Sequence, residues 1–559
     1  MNTRAKLVPA LIGLVFFPPF RATATPREVI VPQVEIVSPV LDARGQAVQA
    51  ITPDGKTFPV FRLAEESPFV RRIRTGLATS FAYHVLKLDR YARNLLLSES
   101  RQRRAPEDLH EPRLTAPMYL LLSKEEGGYA RFGFWLEGPR RGRRLVLAGY
   151  VDQVVDDESV DTGDFEEIFS HELAHLILKS LVGDLSLGPS RKMHMSMTVT
   201  DYSAAFDEGY AEHFQPLVRD ASKNPRLREL MKGATPTDLD LLWISRLDEQ
   251  LRTVGVKQNL FIHPKALPAT ALEPDPDLYK VYVDGETCVD FLSDELKNAQ
   301  EMMASEGVVA TLFYRIVNDE RLRQHYREPA FYKRFLPAEV SVATPQETVS
   351  PYENINLKIF AAMRAMAGGT NDSYRPWMVA LVKAYVTLFP DEAEAMSDTF
   401  LKTTRGVTAS QEVAAAFERA VADGRRGEIE AFRQSSRAAH TLLRSLIDQV
   451  ARGKLAIDGN LGPELWLLNP HFKIAPALWE PERTLPLSLN LNTASETELM
   501  SMPGVNLVLA RRIVAARRAR GFFTELGKLE KEAEVPPDVI KSLEAMKEQM
   551  TREKPYKRP

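Results

Sequence analysis

The sequence predicts an α+β protein in which a small sheet packs on two helices, followed by a mostly helical region and a small all-α module. Alternating and aromatic apolar segments within residues 114–156 predict the strands of the sheet. Apolar residues that recur every three or four positions predict helices around 165–181 and 203–217. The same helical periodicity continues in segments 284–326, 354–388 and 409–453.

The bulk properties of the chain indicate several domains. A length of 559 residues exceeds what one compact core usually serves. The hydrophobic content of 44% and charged content of 26% are ordinary for globular proteins, and the net charge of −3 argues against a protein that coats nucleic acid. We expect these parts: a signal peptide at 1–24, a mixed N-terminal region at 25–110, a sheet-and-helix domain at 111–265, a helical region at 266–460, a proline-rich linker at 461–487 and a small helical module at 488–550.

The first 24 residues have the pattern of a secretory signal peptide. Arg4 and Lys6 form a positive end, residues 7–17 form an apolar run, and Ala22-Thr23-Ala24 is a small-x-small cleavage site. The alternatives are a buried strand or a membrane anchor, but the run is shorter than the roughly 20 residues that a spanning helix needs. We therefore expect an exported protein, periplasmic or extracellular, with no stable membrane span after cleavage.

Cysteine content limits the chemistry of any metal site. Cys288 is the only cysteine, so it cannot form an intramolecular disulfide. A cysteine-based zinc site is excluded for the same reason. Any metal ion must therefore be bound by histidines and carboxylates.

The helix around 165–181 carries two histidines on one face. Asp164 and Glu167 have the spacing of an N-cap and its capping-box partner, which predicts where the helix starts. His171 and His175 are four residues apart, so their Cβ atoms lie about 6 Å apart on one face and two imidazole nitrogens can bind one zinc ion. Glu172 lies beside the first histidine, where a base can take a proton from a metal-bound water. The competing interpretation is a charged, solvated helix with two incidental histidines.

A third ligand is expected on the helix around 203–217, because a catalytic zinc needs three protein ligands and one open position. Glu208 follows His175 by 33 residues, and Glu212 lies four residues further on, on the same helix face. One carboxylate of this pair can bind the ion while the other accepts the N–H of a ligand histidine and fixes its tautomer.

Residues 171–175 (His-Glu-Leu-Ala-His) and 208–212 (Glu-Gly-Tyr-Ala-Glu) together resemble the signature of the gluzincin metallopeptidases, which have a thermolysin-like catalytic domain. The resemblance covers residues 112–220. It implies a peptide or protein substrate held by an edge strand beside the metal, with a helical domain walling one side of the cleft. It also implies one Zn²⁺ ion with His171, His175 and Glu208 as ligands, Glu172 as the general base and Glu212 as the ligand-orienting carboxylate.

A peptidase of this kind also needs a donor that stabilises the oxyanion. The candidates are His194, in the loop between the two helices, and Tyr210, two residues past Glu208, with Tyr202 and His213 also nearby in the sequence. The competing interpretations are a solvated histidine at 194 and a core tyrosine at 210.

A second informative stretch lies near the C-terminus. Residues 489–495 (Leu-Asn-Leu-Asn-Thr-Ala-Ser) precede two short helical patterns that are joined by a turn at Pro503-Gly504. This stretch resembles the helix-hairpin-helix module of bacterial competence DNA receptors, in which a Gly-hydrophobic-Gly hairpin presents backbone N–H groups to a phosphate. The resemblance implies phosphate contacts, with DNA as a candidate partner, through Gly504, Asn506, Arg511 and Arg512. A solvated basic helix face is the competing interpretation.

We therefore expect an exported zinc-dependent metallopeptidase that uses an activated water and a glutamate base. The alternative is a non-catalytic binding protein whose helix-hairpin-helix module binds protein or DNA. Glu172 favours the enzyme, because a purely structural zinc site has no need of a base.

Overall fold

The computed structural model describes residues 30–103, 112–123, 128–138, 142–185, 188–192, 194, 196, 198–225, 252–263, 295–367, 374–474 and 484–553. The expected signal peptide and Cys288 lie outside these residues. Among the helices of the described ranges, none is both long and apolar enough to cross a membrane.

Six strands form one mixed sheet in the first third of the chain: β1 (Val34–Pro39), β2 (Gln49–Ile51), β3 (Thr57–Leu63), β4 (Met118–Leu122), β5 (Gly128–Gly138) and β6 (Gly142–Gln153). The strand order is β1-β4-β6-β5-β3-β2, and β1 also pairs with β3, so five strands form a closed set. β5 pairs with β6 along most of its length, but β3 pairs only with residues 135–137 of β5. The first half of β5 therefore has β6 as its one strand neighbour within the described residues.

Apolar side chains cover both faces of the sheet, because each face packs in a hydrophobic core. On one face Phe61, Phe134 and Tyr150 pack ring against ring in a small core. On the other face Leu120 and Val151 belong to the main core, which also contains the helix that carries His171.

Seven helices accompany the sheet: α1 (Pro68–Thr79), α2 (Ala82–Arg103), α3 (Pro112–Thr115), α4 (Asp157–Thr162), α5 (Asp164–Val182), α6 (Tyr202–Glu212) and α7 (Phe214–Ala221). The two helices expected around 165–181 and 203–217 are present, but the second is divided at His213. Helices α1 and α2 are separated by two residues, Ser80 and Phe81.

The expected N-cap of α5 is wrong. Gly163, in a left-handed conformation with φ of 89°, ends α4 and directly precedes α5, so Asp164 is already the first helical residue. Glu167 is not a capping partner, because its carboxylate forms a buried ion pair with Arg219 of α7 (Nη2 to Oε1, 3.0 Å). Glycine is favoured at 163 because few other residues adopt this backbone conformation.

In the described part of the region expected to be helical there are ten α-helices: α8 (Ala299–Met303), α9 (Glu306–Asn318), α10 (Glu320–Arg323), α11 (Pro329–Lys333), α12 (Pro345–Thr348), α13 (Pro351–Ala367), α14 (Trp377–Leu388), α15 (Ala393–Thr403), α16 (Gln411–Arg425) and α17 (Ile429–Ala451). Their buried residues belong to the same core as those of α5 and α6. The domain boundary expected near residue 265 therefore does not separate two hydrophobic cores. We call residues 30–461 the body.

The segment expected to be a proline-rich linker forms part of a second core. It contains β7 (Trp466–Ile474) and the start of β8 (Leu485–Asn490), which pair antiparallel. Pro470 lies at a bulge in this pairing, where its missing N–H costs no ladder hydrogen bond. The core of these strands also includes the last four helices: α18 (Glu496–Met500), α19 (Leu507–Arg520), α20 (Gly527–Glu532) and α21 (Pro537–Arg552). We call residues 465–553 the C-terminal module.

Candidate metal centre

Two histidines of α5 face each other at the surface of the main core. Most of α5 is buried, including Phe169, Leu173 and Ile177, and this anchors the helix against the sheet and α2. His171 and His175 are on the more exposed face, with their rings edge to face and their Nε2 atoms 3.2 Å apart. The spacing of four residues thus brings the two nitrogens together as expected.

The third expected ligand comes from α6. Asp201 caps this helix by accepting a hydrogen bond from the N–H of Ala204 (2.9 Å). Glu208, two turns further on, places Oε2 3.6 Å from Nε2 of His171 and 3.5 Å from Nε2 of His175.

These three atoms have the spacing that a zinc ion requires. Ligand atoms of a tetrahedral zinc site with bonds of about 2.0–2.1 Å lie roughly 3.3–3.4 Å from one another. The observed separations of 3.2, 3.5 and 3.6 Å bracket that value. His171, His175 and Glu208 therefore fit a zinc ion without rearrangement.

The carboxylate that bonds a ligand histidine is Asp207, which the sequence analysis did not name. Its Oδ1 lies 2.8 Å from Nδ1 of His175, on the opposite side of the ring from the metal-facing nitrogen. Such a contact fixes the tautomer that leaves Nε2 free to bind metal. Glu212 is buried at the end of α6, and its expected role as the orienting carboxylate remains a prediction.

The charges of the site favour a cation. Burial lowers the pKa of His175, but the carboxylates of Asp207 and Glu208 outweigh burial and raise this pKa well above its usual value. Burial raises the pKa of Glu208, but His194 and His175 outweigh it and hold this pKa well below its usual value. The protonated imidazole of His175 thus neutralises the carboxylate of Glu208. A divalent ion can supply this positive charge instead once the imidazole has lost its proton.

The expected base, Glu172, lies in the groove between α5 and the start of β5. Its side chain is largely buried, and Gly128 of β5 packs directly on it. A Cβ atom at position 128 would lie 3.2 Å from Oε1 of Glu172 and 2.6 Å from Cγ2 of Ile168. The strand thus approaches the base closely because residue 128 has no side chain.

His194 is the one expected oxyanion donor that reaches the centre. Its Nε2 lies 3.4 Å from Oε1 of Glu208, and its Nδ1 lies 3.4 Å from Oε2 of Glu306, the buried first residue of α9. The three side chains approach one another within the reach of a metal ion. However, Nε2 of His194 faces Glu208 and Nδ1 faces Glu306. A metal ion bound to one ring nitrogen would therefore replace only one of these two contacts.

The other candidate donors lie in the core. The ring of Tyr210 is fully buried and packs against Phe313 and Phe214, so the structure corrects its assignment as a donor. Tyr202 is also buried, and burial lowers the pKa of His213 to about 3. These residues face inward because α6 is packed on both sides, which the spacing of the motif does not reveal.

The expected phosphate-binding residues of the C-terminal module lie at the hairpin before α19 and on that helix, and phosphate binding by them stays a prediction. Gly504 adopts a left-handed conformation (φ 78°) at the hairpin, as a glycine there should. Asn506 does not imitate a second glycine; its φ is −101° and its side chain caps α19. Arg511 and Arg512 form ion pairs with Glu496 (3.2 Å) and Glu534 (2.6 Å) within the module.

Comparison with known proteins supports one part of the chain. The family described as helix-hairpin-helix motif matches residues 488–546. No curated protein and no solved structure matches the chain. The chain therefore contains a helix-hairpin-helix motif in its C-terminal module, a class of motif that takes part in nucleic-acid or protein interaction.

Proposed function

We propose that the protein is a zinc-dependent metallopeptidase. The observation that carries this proposal is the convergence of His171, His175 and Glu208 at tetrahedral spacing, with Glu172 next to His171 in the sequence of α5. A purely structural zinc site has four protein ligands, whereas only three converge here among the described residues. The fourth position is then available for a water molecule.

The zinc ion, Glu172 and His194 have different roles in the proposed hydrolysis. A zinc ion bound there supplies a Lewis acid that polarises the scissile carbonyl and acidifies water. Glu172 accepts the proton of the attacking water and passes it to the leaving amine. His194, held by Glu306, donates from Nε2 to the oxygen on which negative charge develops.

The substrate backbone has a place beside Glu172. Within the described residues the first half of β5 pairs with β6 alone, which leaves its other edge without a strand partner, and its Gly128 packs on the proposed base. An extended peptide can pair with such an edge through main-chain hydrogen bonds, whatever its side chains. This supports a peptide or unfolded protein as the substrate class.

The Glu172→Gln variant tests the proposal. We expect hydrolysis of an unfolded protein such as casein to fall roughly 10²–10⁴-fold, since the base is lost, while zinc content stays at one ion per chain. The matched control is Glu166→Gln on the same helix, which contacts Ser80 and not the metal centre and should keep activity. Equal activity of Glu172→Gln and wild type would refute the proposed role of Glu172.

Export is the second part of the proposal and rests on the N-terminal sequence pattern alone. Expression of the full chain in a bacterium, followed by N-terminal sequencing, should find a mature protein that starts at Thr25. A chain that retains residues 1–24 in the cytoplasm would contradict it.

The second candidate function is a binding protein, which the helix-hairpin-helix match favours. In that case the full chain should bind duplex DNA with an affinity that falls steeply with salt, and Arg511→Ala with Arg512→Ala should weaken binding. Both arginines form solvent-exposed ion pairs within the module, and a phosphate has to compete with these weak pairs.

A further inference from the structure

The loop that carries His194 is bonded to the C-terminal module at two adjacent residues. We call the residues between 188 and 200 that the structure describes the His194 loop. Lys192 forms an ion pair with Glu498 of α18, and both side chains are largely buried. Arg191, also buried, places Nη2 2.6 Å from Oε2 of Glu553. Charges buried in this way require partners, so the loop is held where its partners are.

Glu498 is a rigid partner because both of its oxygens are used. Oε2 accepts the backbone N–H of Ser495 (2.8 Å) in the capping box of α18, and Oε1 faces Lys192. Lys192 also places Nζ 3.4 Å from the carbonyl oxygen of Val199, near the other end of the loop. Lys192 therefore connects the start of α18 to the loop on either side of His194, at residues 192 and 199.

The module is also bonded to the segment that precedes Glu306. Asn298 donates from Nδ2 to the carbonyl oxygen of Asn492 (2.7 Å), just before α8. Arg517 lies 3.3 Å from Glu301 of α8, and only Ala304 and Ser305 separate α8 from the start of α9. His194 and its partner Glu306 therefore lie on two segments that contact the same module.

Two arginines of α19 contact the body. Arg518 pairs with Glu295, and Arg517 is buried against Glu301 and the carbonyl oxygens of Leu491 and Ala494. A helix-hairpin-helix that offers phosphate contacts keeps such charges available. Here they hold the module on the body.

We propose that the helix-hairpin-helix module is an intramolecular clamp that positions His194 at the metal centre, with Lys192 and Glu498 as positioning residues. The proposal rests on the proposed function, because it assigns His194 a contact made in the transition state. Loosening the clamp widens the range of positions that His194 occupies. The loss then falls on kcat, while zinc and the ground-state substrate are bound as before.

Glu498→Gln is the sharpest variant, because glutamine retains the capping-box hydrogen bond and removes only the charge opposite Lys192. We expect kcat for casein hydrolysis to fall about tenfold or more, with KM and zinc content unchanged. The control is Glu532→Gln, which removes an equally shielded carboxylate whose partner, Arg520, lies inside the module. It should leave kcat unchanged.

A double-mutant cycle separates positioning from general damage. In the His194→Ala background, Glu498→Gln should cause no further loss, because the residue that it positions is gone. The same fold-loss in both backgrounds would overturn the proposal. If Glu498→Gln folds poorly, Lys192→Gln with Glu498→Gln removes both buried charges and must show the same dependence on His194.

Amide hydrogen exchange gives a readout that needs no activity. Glu498→Gln should speed exchange in peptides from residues 188–200 while peptides from α5 exchange as in wild type. Unchanged exchange in the loop would also overturn the clamp. A wild-type protein without zinc or hydrolysis would refute the proposed function, whereas faster loop exchange would still show the clamp itself.

Discussion

Asp207 contacts Nδ1 of His175, the ring nitrogen other than the Nε2 that we propose binds zinc. Replacing Asp207 by Asn removes the charge and lets the ring adopt either tautomer. We expect zinc affinity to fall roughly 10–100-fold, as for other residues that orient metal ligands, with a matching loss of activity at limiting zinc. Competition with a chromophoric chelator measures the affinity.

The control for this variant is Asp157→Asn, which removes a carboxylate that is exposed and pairs with Arg72 at the surface. It should bind zinc like wild type, since an exposed ion pair contributes little. An unchanged zinc affinity in Asp207→Asn would contradict the orienting role of Asp207.

Zinc binding should release a proton from His175. The pKa of this residue is raised well above its usual value in the metal-free protein, so the imidazole is protonated at neutral pH and must lose that proton to bind metal. Apparent zinc affinity should therefore rise with pH until pH passes the pKa of His175. Without metal the sign is opposite: the stability that protonated His175 provides is complete at low pH and is lost as pH rises through its folded-state pKa.

Calorimetry in buffers of different ionisation enthalpy counts the protons released at pH 7. We expect about one proton from His175 per zinc ion bound. A count of zero for wild type would show that His175 is neutral before zinc binds, against this account.

The residue scale also shows what the sequence could predict. Helix geometry predicts that His171 and His175 share a face, but the spacing left Glu208 and Glu212 open as the third ligand, and the choice of Glu208 came from the resemblance. Asp207 and Glu306 were missed because their contacts join separate segments of the chain, and no local spacing encodes such contacts. The sequence left Tyr210 open between an oxyanion donor and a core residue, because its neighbour Phe313 lies about a hundred residues away.

At the scale of elements, the approach of β5 to α5 depends on the absence of a side chain at position 128. Gly128→Ala should displace Ile168 or Glu172, because the added Cβ would lie within 3.0 Å of the isoleucine. We expect kcat to fall about tenfold or more with zinc content unchanged, since small displacements of a catalytic base are costly. Casein hydrolysis and metal analysis measure the two quantities.

The double variant Gly128→Ala with Ile168→Ala tests the steric cause. Ile168 is partly exposed, so its truncation opens space for the new methyl group at little cost. Activity should recover in part. No recovery would show that position 128 matters for another reason, such as flexibility of the strand.

Elements were predicted best where apolar periodicity alone determines them. The helical periodicity of α5 was predicted correctly, but its N-cap was not. The cap position is Gly163, in a left-handed conformation, and not the expected Asp164. Strand β7 was mistaken for part of a linker because the prolines of the segment 461–487 suggested an irregular chain. Pro470 is tolerated at a bulge in a sheet of two strands, which composition does not reveal.

At the scale of the whole molecule, the helical region shares one core with α5 and α6, which carry the proposed zinc ligands, and does not form a separate domain. Trp377 of α14 is buried, packs on Phe206 and donates from Nε1 to Ser203 (3.1 Å), both on α6. Trp377→Ala should lower the free energy of unfolding by about 3–5 kcal/mol. Zinc affinity should also fall, because α6 carries Glu208.

Urea unfolding of the metal-free protein and zinc titration measure the two effects. The control is Phe432→Ala, which truncates an aromatic side chain that is half exposed on α17 and should change neither quantity much. A destabilised Trp377→Ala that binds zinc like wild type would contradict the link between the helical region and the metal centre.

The central claim is that His171, His175 and Glu208 bind one zinc ion, and diffraction from crystals of the zinc-loaded protein tests it most directly. Data collected on either side of the zinc absorption edge should show one anomalous peak about 2.0–2.1 Å from Nε2 of both histidines and from one oxygen of Glu208. Crystals without a peak between these side chains, although zinc is present in excess, would contradict the account.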